Sequence, residues 1–408
     1  MPRAKKPSVA QAELLRKQTI GPDGPGTILR DFESLLDFIG PEGLRTTGKY
    51  HFLPLSRLLE LDAKMAKPLR PGLSRPQQRS FPHLTGLYLL LRTTEFALAK
   101  GEGQAGRLVL NPAMVDQWRT LNWTEKYFNL LEAWLRFASR ETLGERESGF
   151  FSDSWMYDAV SVWRRIPPGG ITFEKGARSE GFLHSSSRTC SVALLEMFGM
   201  AKAETTKPQQ GEAWRILALR RSPWGEALLE LLLPGYPDEI LQTREVVVGF
   251  GHWQALLAEY FPDWRNNLHF PELELRNGVF VFQVSVADVW RRIAIPAEGR
   301  LEDLAWAIIQ AFEFDGEHLF EFIIRELDGT TTNVVHPEIE GEAFTDEYAI
   351  GYLPLEEGDR MMFRYDFGAN WEFQVRLEEV KPPDPEMQGP ALVESHGEAP
   401  PEYDCDDW

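Results

Sequence analysis

The strongest constraint on what this chain can fold into lies between residues 279 and 312. In VFVFQVSV, from Val279 to Val286, Gln283 and Ser285 interrupt an apolar run at a spacing of two, the period of a strand with one buried face. A second strand follows through Ile293 and Ile295, ended or edged by Pro296. The period then changes. Leu301, Leu304, Ala305, Ile308, Ile309 and Phe312 recur every three or four residues and line one face of a helix. Residues 318–325, 361–367 and 371–377 supply three more strand candidates, the last two joined as a hairpin across Gly368, Ala369 and Asn370. One helix against a largely antiparallel sheet buries both apolar faces, so these residues predict a two-layer α+β module.

The rest of the chain is mostly helical in pattern, with small hairpins. Its 408 residues, 43% hydrophobic with 13 Trp and 25 Phe, can fill several cores, which excludes disorder throughout. The longest apolar segments, 86–91 and 227–233, fall short of the roughly 18 residues needed to cross a bilayer. No early apolar run resembles a secretion signal, so a cytoplasmic chain without membrane contact is expected. Cys190 and Cys405 lie too far apart in sequence to suggest a disulfide framework or a cysteine-based zinc site. The formal charge of −19 is segregated: from residue 296 onwards 29 acidic residues face 6 basic ones. Residues 1–80 carry 14 basic against 8 acidic residues, a mild excess that could include a nucleic-acid-facing patch. The acidic module would itself repel phosphates.

Breaks in the pattern divide the chain into a flexible polar arm at 1–26, a helical, winged-helix-like region at 27–140 and a second α+β region at 141–268. The C-terminal module follows at 269–381, then an acidic, proline-rich tail at 382–408 expected to lack regular structure. Residues 67–82, with four prolines and four basic residues, read as an extended linker or loop. A loose echo of helix, strand and helix recurs at 35–61, 88–120 and 192–233. Such units resemble winged-helix pieces, a fold that can mediate protein contacts as well as read DNA.

Four motifs carry a family resemblance: VWRRIAIP at 289–296, FEFDGEHLFEF at 312–322, LEEGD at 355–359 and YDFGANWEFQVRLEEV at 365–380. Together they resemble the plasmid pRiA4b ORF-3-like proteins, sometimes described as passenger proteins of insertion elements, over about residues 270–408. GEAPPEY at 397–403 looks like a shortened form of the family's ending. The resemblance implies the α+β module and supplies no reaction.

This chain departs from the family pattern at three polar positions. The family often has His-Leu-His where this chain reads His318, Leu319, Phe320, and Gly-Asp-x-Trp-x-His where it reads Gly368, Ala369, Asn370, Trp371, Glu372, Phe373. The remaining polar candidates are His318 with Asp315, Glu317, Glu321, Asp366 and Glu372. A hard divalent cation such as magnesium or calcium could use these carboxylates, whereas zinc would want more imidazole or thiolate. The same acids can equally serve as solvated surface charge. Arg291 and Arg292 could grip a phosphate or carboxylate beside the stacking face of Trp290. As consecutive strand residues they point to opposite faces, so a pairing of one of them with Asp366 or Glu372 is expected instead. Phe367 and Trp371 are expected to meet across the 368–370 turn and anchor the hairpin.

HExxH, GxxxxGKS/T and GxSxG motifs are all absent from the sequence. GEGQAG at 101–106 lacks dinucleotide spacing and reads as a hairpin turn, Ser185–Ser187 beside His184 as a polar loop, and Cys190 as a buried or capping position. The leading expectation is a non-catalytic protein-interaction or regulatory adaptor whose acidic module favours a basic protein partner. One alternative is a nucleic-acid-associated regulator linked to mobile elements, binding through residues 1–268. Another is a metal-dependent hydrolase or nuclease centred on Asp315, His318, Asp366 and Glu372.

Overall fold

The computed structural model describes residues 7–101, 105–145, 155–174, 181–211, 214–233, 249–271 and 274–403, and divides into two units, 1–271 and 272–408. Cys405, Trp408 and the middle of the 101–106 turn lie outside the described residues.

The first unit starts earlier than the sequence pattern suggests. The arm expected at 1–26 contains helix α1, Val9–Lys17, closed by a reciprocal capping box between Ser8 and Gln11. Its Leu15 is fully buried, which anchors a segment that polar composition alone marks as loose. Next come α2 (Ile28–Ile39), β1 (Leu44–Arg45), α3 (Leu55–Lys64), α4 (Pro82–Thr93), β2 (Ala97–Lys100), β3 (Arg107–Leu110), α5 (Pro112–Thr120) and α6 (Trp123–Glu132). The second half runs through α7 (Trp155–Arg165), β4 (Ile171–Thr172), α8 (Ser186–Met197), β5 (Ala201–Thr205), β6 (Ile216–Arg221), α9 (Pro223–Leu232) and the short α10 (Gln254–Leu257).

The echo has a definite form. Helix, hairpin and helix occur as α4-β2-β3-α5 and again as α8-β5-β6-α9, and each hairpin is completed by a strand from upstream, giving sheets ordered β1-β3-β2 and β4-β6-β5. Both hairpins end in a capping residue followed by proline at the first helical turn, Asn111-Pro112 and Ser222-Pro223. In both, the cap N–H returns to the residue before the hairpin: Asn111 to the Phe96 carbonyl at 2.9 Å, and Ser222 to that of Met200 at 2.8 Å. The stretch at 35–61 has only a minimal turn of its own, an antiparallel bridge of Thr47 with Phe52, while two-residue β1 pairs with β3. The expected division at 140 is absent: one continuous apolar core runs from Leu15 to Leu268. Ser185, expected in a polar loop, caps α8 by accepting the Arg188 N–H, and Cys190 is buried inside that helix with its thiol pKa pushed up by burial.

The second unit is the two-layer module. Its strands are β7 (Val279–Val286), β8 (Val289–Pro296), β9 (Phe320–Arg325), β10 (Thr331–Val335), β11 (Arg360–Tyr365), β12 (Trp371–Lys381) and β13 (Ala391–His396). They form one antiparallel sheet ordered β10-β9-β11-β12-β7-β8-β13. Helix α11, Leu301–Ala311, buries Leu301, Leu304, Ala305, Ile308 and Ile309 against the inner face, where Phe280, Phe282, Phe322, Phe363 and Phe373 lie. The tail at 382–408 departs from expectation: β13 pairs with β8 and closes one edge of the sheet. Its residues are exposed, so no apolar periodicity signals a strand that the backbone ladder alone holds. Among the described residues, no helix is long and apolar enough to cross a membrane.

Candidate functional site

The predicted polar residues separate into three places on the second unit. The first is a clasp where the 397–403 segment meets the loop before β9. Asp315 N–H donates to Glu402 Oε2 at 2.6 Å, and the Tyr365 hydroxyl reaches both Asp315 Oδ1 and Glu402 Oε1 at 3.1 Å. The Tyr403 hydroxyl donates to Asp315 Oδ2 at 3.1 Å and sits 2.9 Å from His318 Nε2. Trp371 Nε1 donates to the Glu402 carbonyl at 3.2 Å. The Glu317 N–H, with the two tyrosine hydroxyls adding to it, holds the Asp315 carboxyl below its usual range. Burial and these same carboxylates push the Tyr365 phenol up.

Asp315, His318 and Glu402 place one donor atom each within 4.8 Å of one another, as a divalent cation would require. Their oxygens, however, already accept from two hydroxyls and from backbone N–H groups. A cation there would have to compete with those bonds. Asp366, also expected in the cluster, lies 3.7 Å from His318 Nε2 and has a structural task. Its carboxylate accepts the Gly368 N–H at 2.8 Å and its carbonyl the Asn370 N–H at 2.6 Å, while Asp366 and Asn370 take φ values of +50° and +55° to turn the chain.

Glu321 and Glu372 belong to a second place, on the outer face of the sheet, where both flank Arg364 at 2.7 and 3.3 Å. Of the four residues expected to form a hydrolase or nuclease centre, Asp315, His318 and Asp366 thus lie together, whereas Glu372 pairs with Arg364 on the outer face. The expected pairing of Arg291 or Arg292 with Asp366 or Glu372 does not form either. Arg291, 4% exposed, donates to the carbonyls of Ala311, Trp290 and His396, capping α11 and tying it to β13. Arg292 faces outward between Glu378 and Glu394. The Phe367–Trp371 anchor is also displaced by two residues: the hairpin pairs Tyr365 with Trp371, and Phe367 is 47% exposed at the turn.

The third place is the remainder of that outer face. One cross-strand row crosses all seven strands through Asn333, Ile323, Met362, Gln374, Ser285, Trp290 and His396. Trp290 stacks on His396 with ring centroids 5.5 Å apart. Five of the six basic residues after Pro296, namely Arg325, Arg360, Arg364, Arg376 and Lys381, lie on this face. Arg364 and Lys381 are neutralised by neighbouring carboxylates. Arg360 and Arg376 stand directly opposite one another, and among the described residues neither forms an ion pair; Arg360 bonds Gln374 at 3.1 Å.

Sequence reasoning missed Glu402 and Tyr403 in the clasp, for which the GEAPPEY ending was the available signal. Of the three positions that depart from the family pattern, two are core, Phe320 and Phe373 being 0% and 1% exposed and both packed on Phe363, and the third, Ala369, is exposed at the turn.

The uncharacterized protein y4hQ of Sinorhizobium fredii is 28% identical over 117 residues, covering 28% of this chain and 58% of that protein, so the chain spans little more than half of this relative. The crystal structure of a protein of unknown function, MM3350 from Methanosarcina mazei Go1, aligns at 25% identity over 31% of this chain and 74% of that one, with a TM-score of 0.28. Residues 281–408, the C-terminal domain, match the family model described as Plasmid pRiA4b ORF-3-like protein.

Proposed function

We propose that this chain is a non-catalytic cytoplasmic adaptor, and that the outer face of its seven-stranded sheet docks an acidic segment of a partner protein. The cross-strand pair of Arg360 and Arg376, facing one another on an otherwise strongly acidic domain and ion-paired to no described residue, carries this reading. Like charges directly opposite on a sheet are unfavourable, typically by a few tenths of a kcal/mol up to about 1. A carboxylate seated between Arg360 and Arg376 would relieve that repulsion and accept bonds from both guanidinium groups. The domain's average charge would favour a basic partner at long range. Contact is decided within about 8 Å, the screening length in physiological salt, and at Arg360 and Arg376, which form no ion pair among the described residues, the local charge is positive.

The nucleic-acid alternative rests on the winged-helix-like order of the first unit and its basic start. In helix-turn-helix proteins the second helix of the motif enters the major groove. The corresponding α4 is buried at every residue from Pro82 to Thr93, and a side chain at Gly86 would meet Leu194 at 2.8 Å. This favours protein packing over groove reading for that helix.

A fluorescently labelled oligoglutamate peptide titrated into the full chain tests the proposal by anisotropy. Saturable binding is expected, weakening with salt and lost in the double variant Arg360→Glu/Arg376→Glu but retained in Arg300→Glu. No binding to wild type, or undiminished binding to the double variant, would overturn it. Binding of duplex DNA that survives the double variant would favour the alternative.

A further inference from the structure

The first unit contains a cavity of about 500 Å³ between the starts of α2 and α4, helix α8 and the β5–β6 hairpin. That is a suitable size for a compact organic ligand. Its walls are largely apolar, with Pro25, Pro82, Val192, Met197, Trp214 and Ile216 among them. Two of its lining groups, Asp31 and His83, are polar and only 3% and 7% exposed.

The hydrogen-bond inventory of these two groups specifies what is missing. His83 Nε2 lies 2.9 Å from Asp62 Oδ1. Burial works to raise the Asp62 pKa, but the bonds from His83, Leu69 and Arg70 outweigh it and leave it lowered. An ionised Asp62 favours the tautomer with its proton on Nε2, which leaves Nδ1 as an acceptor. Neither ring nitrogen of His83 has a well-aligned hydrogen bond among the described residues: Nε2 has only its ionic approach to Asp62 and Nδ1 is buried with no partner, an arrangement native interiors rarely tolerate. Asp31 accepts the Ala66 N–H at 2.7 Å, and burial raises its pKa against the lowering pull of the Ala66 and Thr27 bonds and of nearby His83 and Arg30. The unmatched imidazole of His83 and the buried carboxylate of Asp31 thus line the same cavity. The cations that also line the cavity are placed differently: Lys67 is 70% exposed and paired with Glu196 at 2.8 Å, and Lys202 is exposed on β5. In solvent their fields are screened, whereas the field of Asp31 acts through the protein interior.

We propose that this cavity binds a compact apolar amine, with the body of the ligand against the aliphatic walls and its ammonium group donating to Asp31 and His83.

Calorimetric titration of the full chain with phenethylamine, 2-phenylethanol and 3-phenylpropionate separates the chemistries. The amine is expected to bind at least tenfold more tightly than the alcohol, and the carboxylate not to bind. Asp31→Asn, which keeps an acceptor for Ala66, should weaken the amine at least tenfold. Ala193→Phe, which places a ring on the α8 wall, should abolish binding and keeps the test open if Asp31→Asn unfolds. No phenethylamine binding, equal affinity for amine and carboxylate, or undiminished binding to a folded variant of either kind would overturn the proposal.

Discussion

The two units solve the same problem, satisfying backbone groups removed from water, in opposite ways. In the second unit the sheet ladder does most of the work, and the charged residues buried there are Arg291, Glu321 and Asp366. The first unit has short strands and long connections, and it inserts carboxylates to receive the N–H groups that no ladder serves. Glu125 accepts from the backbone of Arg265 and Asn266, Glu132 from Gly251 and Trp253, and Asp62 from Leu69 and Arg70. Buried polar residues thus mark irregular backbone as well as candidate chemistry. Only a group left unmatched, such as His83 Nδ1, points beyond structure.

The largest expected effect is in the regular unit. Phe363 is fully buried among Phe320, Phe322 and Phe373, so Phe363→Ala should cost about 3–5 kcal/mol. Denaturant titration with hydrogen exchange should show that loss in β9, β11 and β12. A variant that kept wild-type protection there would break the view that ring packing dominates the sheet unit.

Glu132→Ala tests the other side of the comparison. It orphans the Gly251 and Trp253 N–H groups, which lie 2.5 and 2.8 Å from the carboxylate. Part of that loss is offset, because burial raises the Glu132 pKa and its removal ends a desolvation cost. A net cost of about 2–3 kcal/mol is expected, with exchange protection lost first around residues 251–257. Unchanged protection would mean that the carboxylate clamps are incidental.

Legibility in the sequence follows the same divide. The strands at 279–286 and 289–296 and helix α11 were readable because one buried face imposes a period of two or of 3.6. β13 was not, since it is held by backbone pairing to β8 and shows no apolar face. α1 was hidden by a polar surround with one anchoring leucine. For the site, sequence placed Asp315 and His318 near one another but could not place Glu321 and Glu372 beside Arg364, because the register of the two strands flanking β11 sets both contacts and Glu321 is 43 residues away. The Phe367–Trp371 pairing failed by two residues because Asp366 and Asn370, rather than glycine, supply the positive φ angles of the turn.

A pH series sharpens the comparison through two nearby carboxylates with opposed shifts. Asp31 holds its proton more tightly folded than unfolded, so its contribution is fully present below 3.8 and is lost as pH rises through its raised folded value. Asp62, with a lowered folded pKa, contributes stability above 3.8 that is lost as pH falls through the lowered value. Urea midpoints from about pH 3 to about pH 7 should therefore show Asp31→Asn gaining relative to wild type as pH rises, and Asp62→Asn losing. Parallel profiles for the two variants would remove the distinction between an uncompensated and a compensated carboxylate.

The smallest expected effect bears on the outer sheet face. Arg376 lies opposite Arg360 on β11 and opposite Gln283 on β7, exposed on both sides. Replacing it alone by glutamate turns a repulsive cross-strand pair into an attractive one while leaving the inner face untouched. Such exposed pairs are worth little, so a gain of about 0.5 kcal/mol is expected, shrinking as salt is added. The same change should reduce oligoglutamate binding, because the new carboxylate occupies the position that the peptide would take. Stability and binding would then move in opposite directions, as they should where a sheet keeps a mismatched pair for a ligand. If Arg376→Glu left stability unchanged at low salt, the two guanidinium groups would not repel measurably, and the main reason for assigning an acidic segment to this face would be gone.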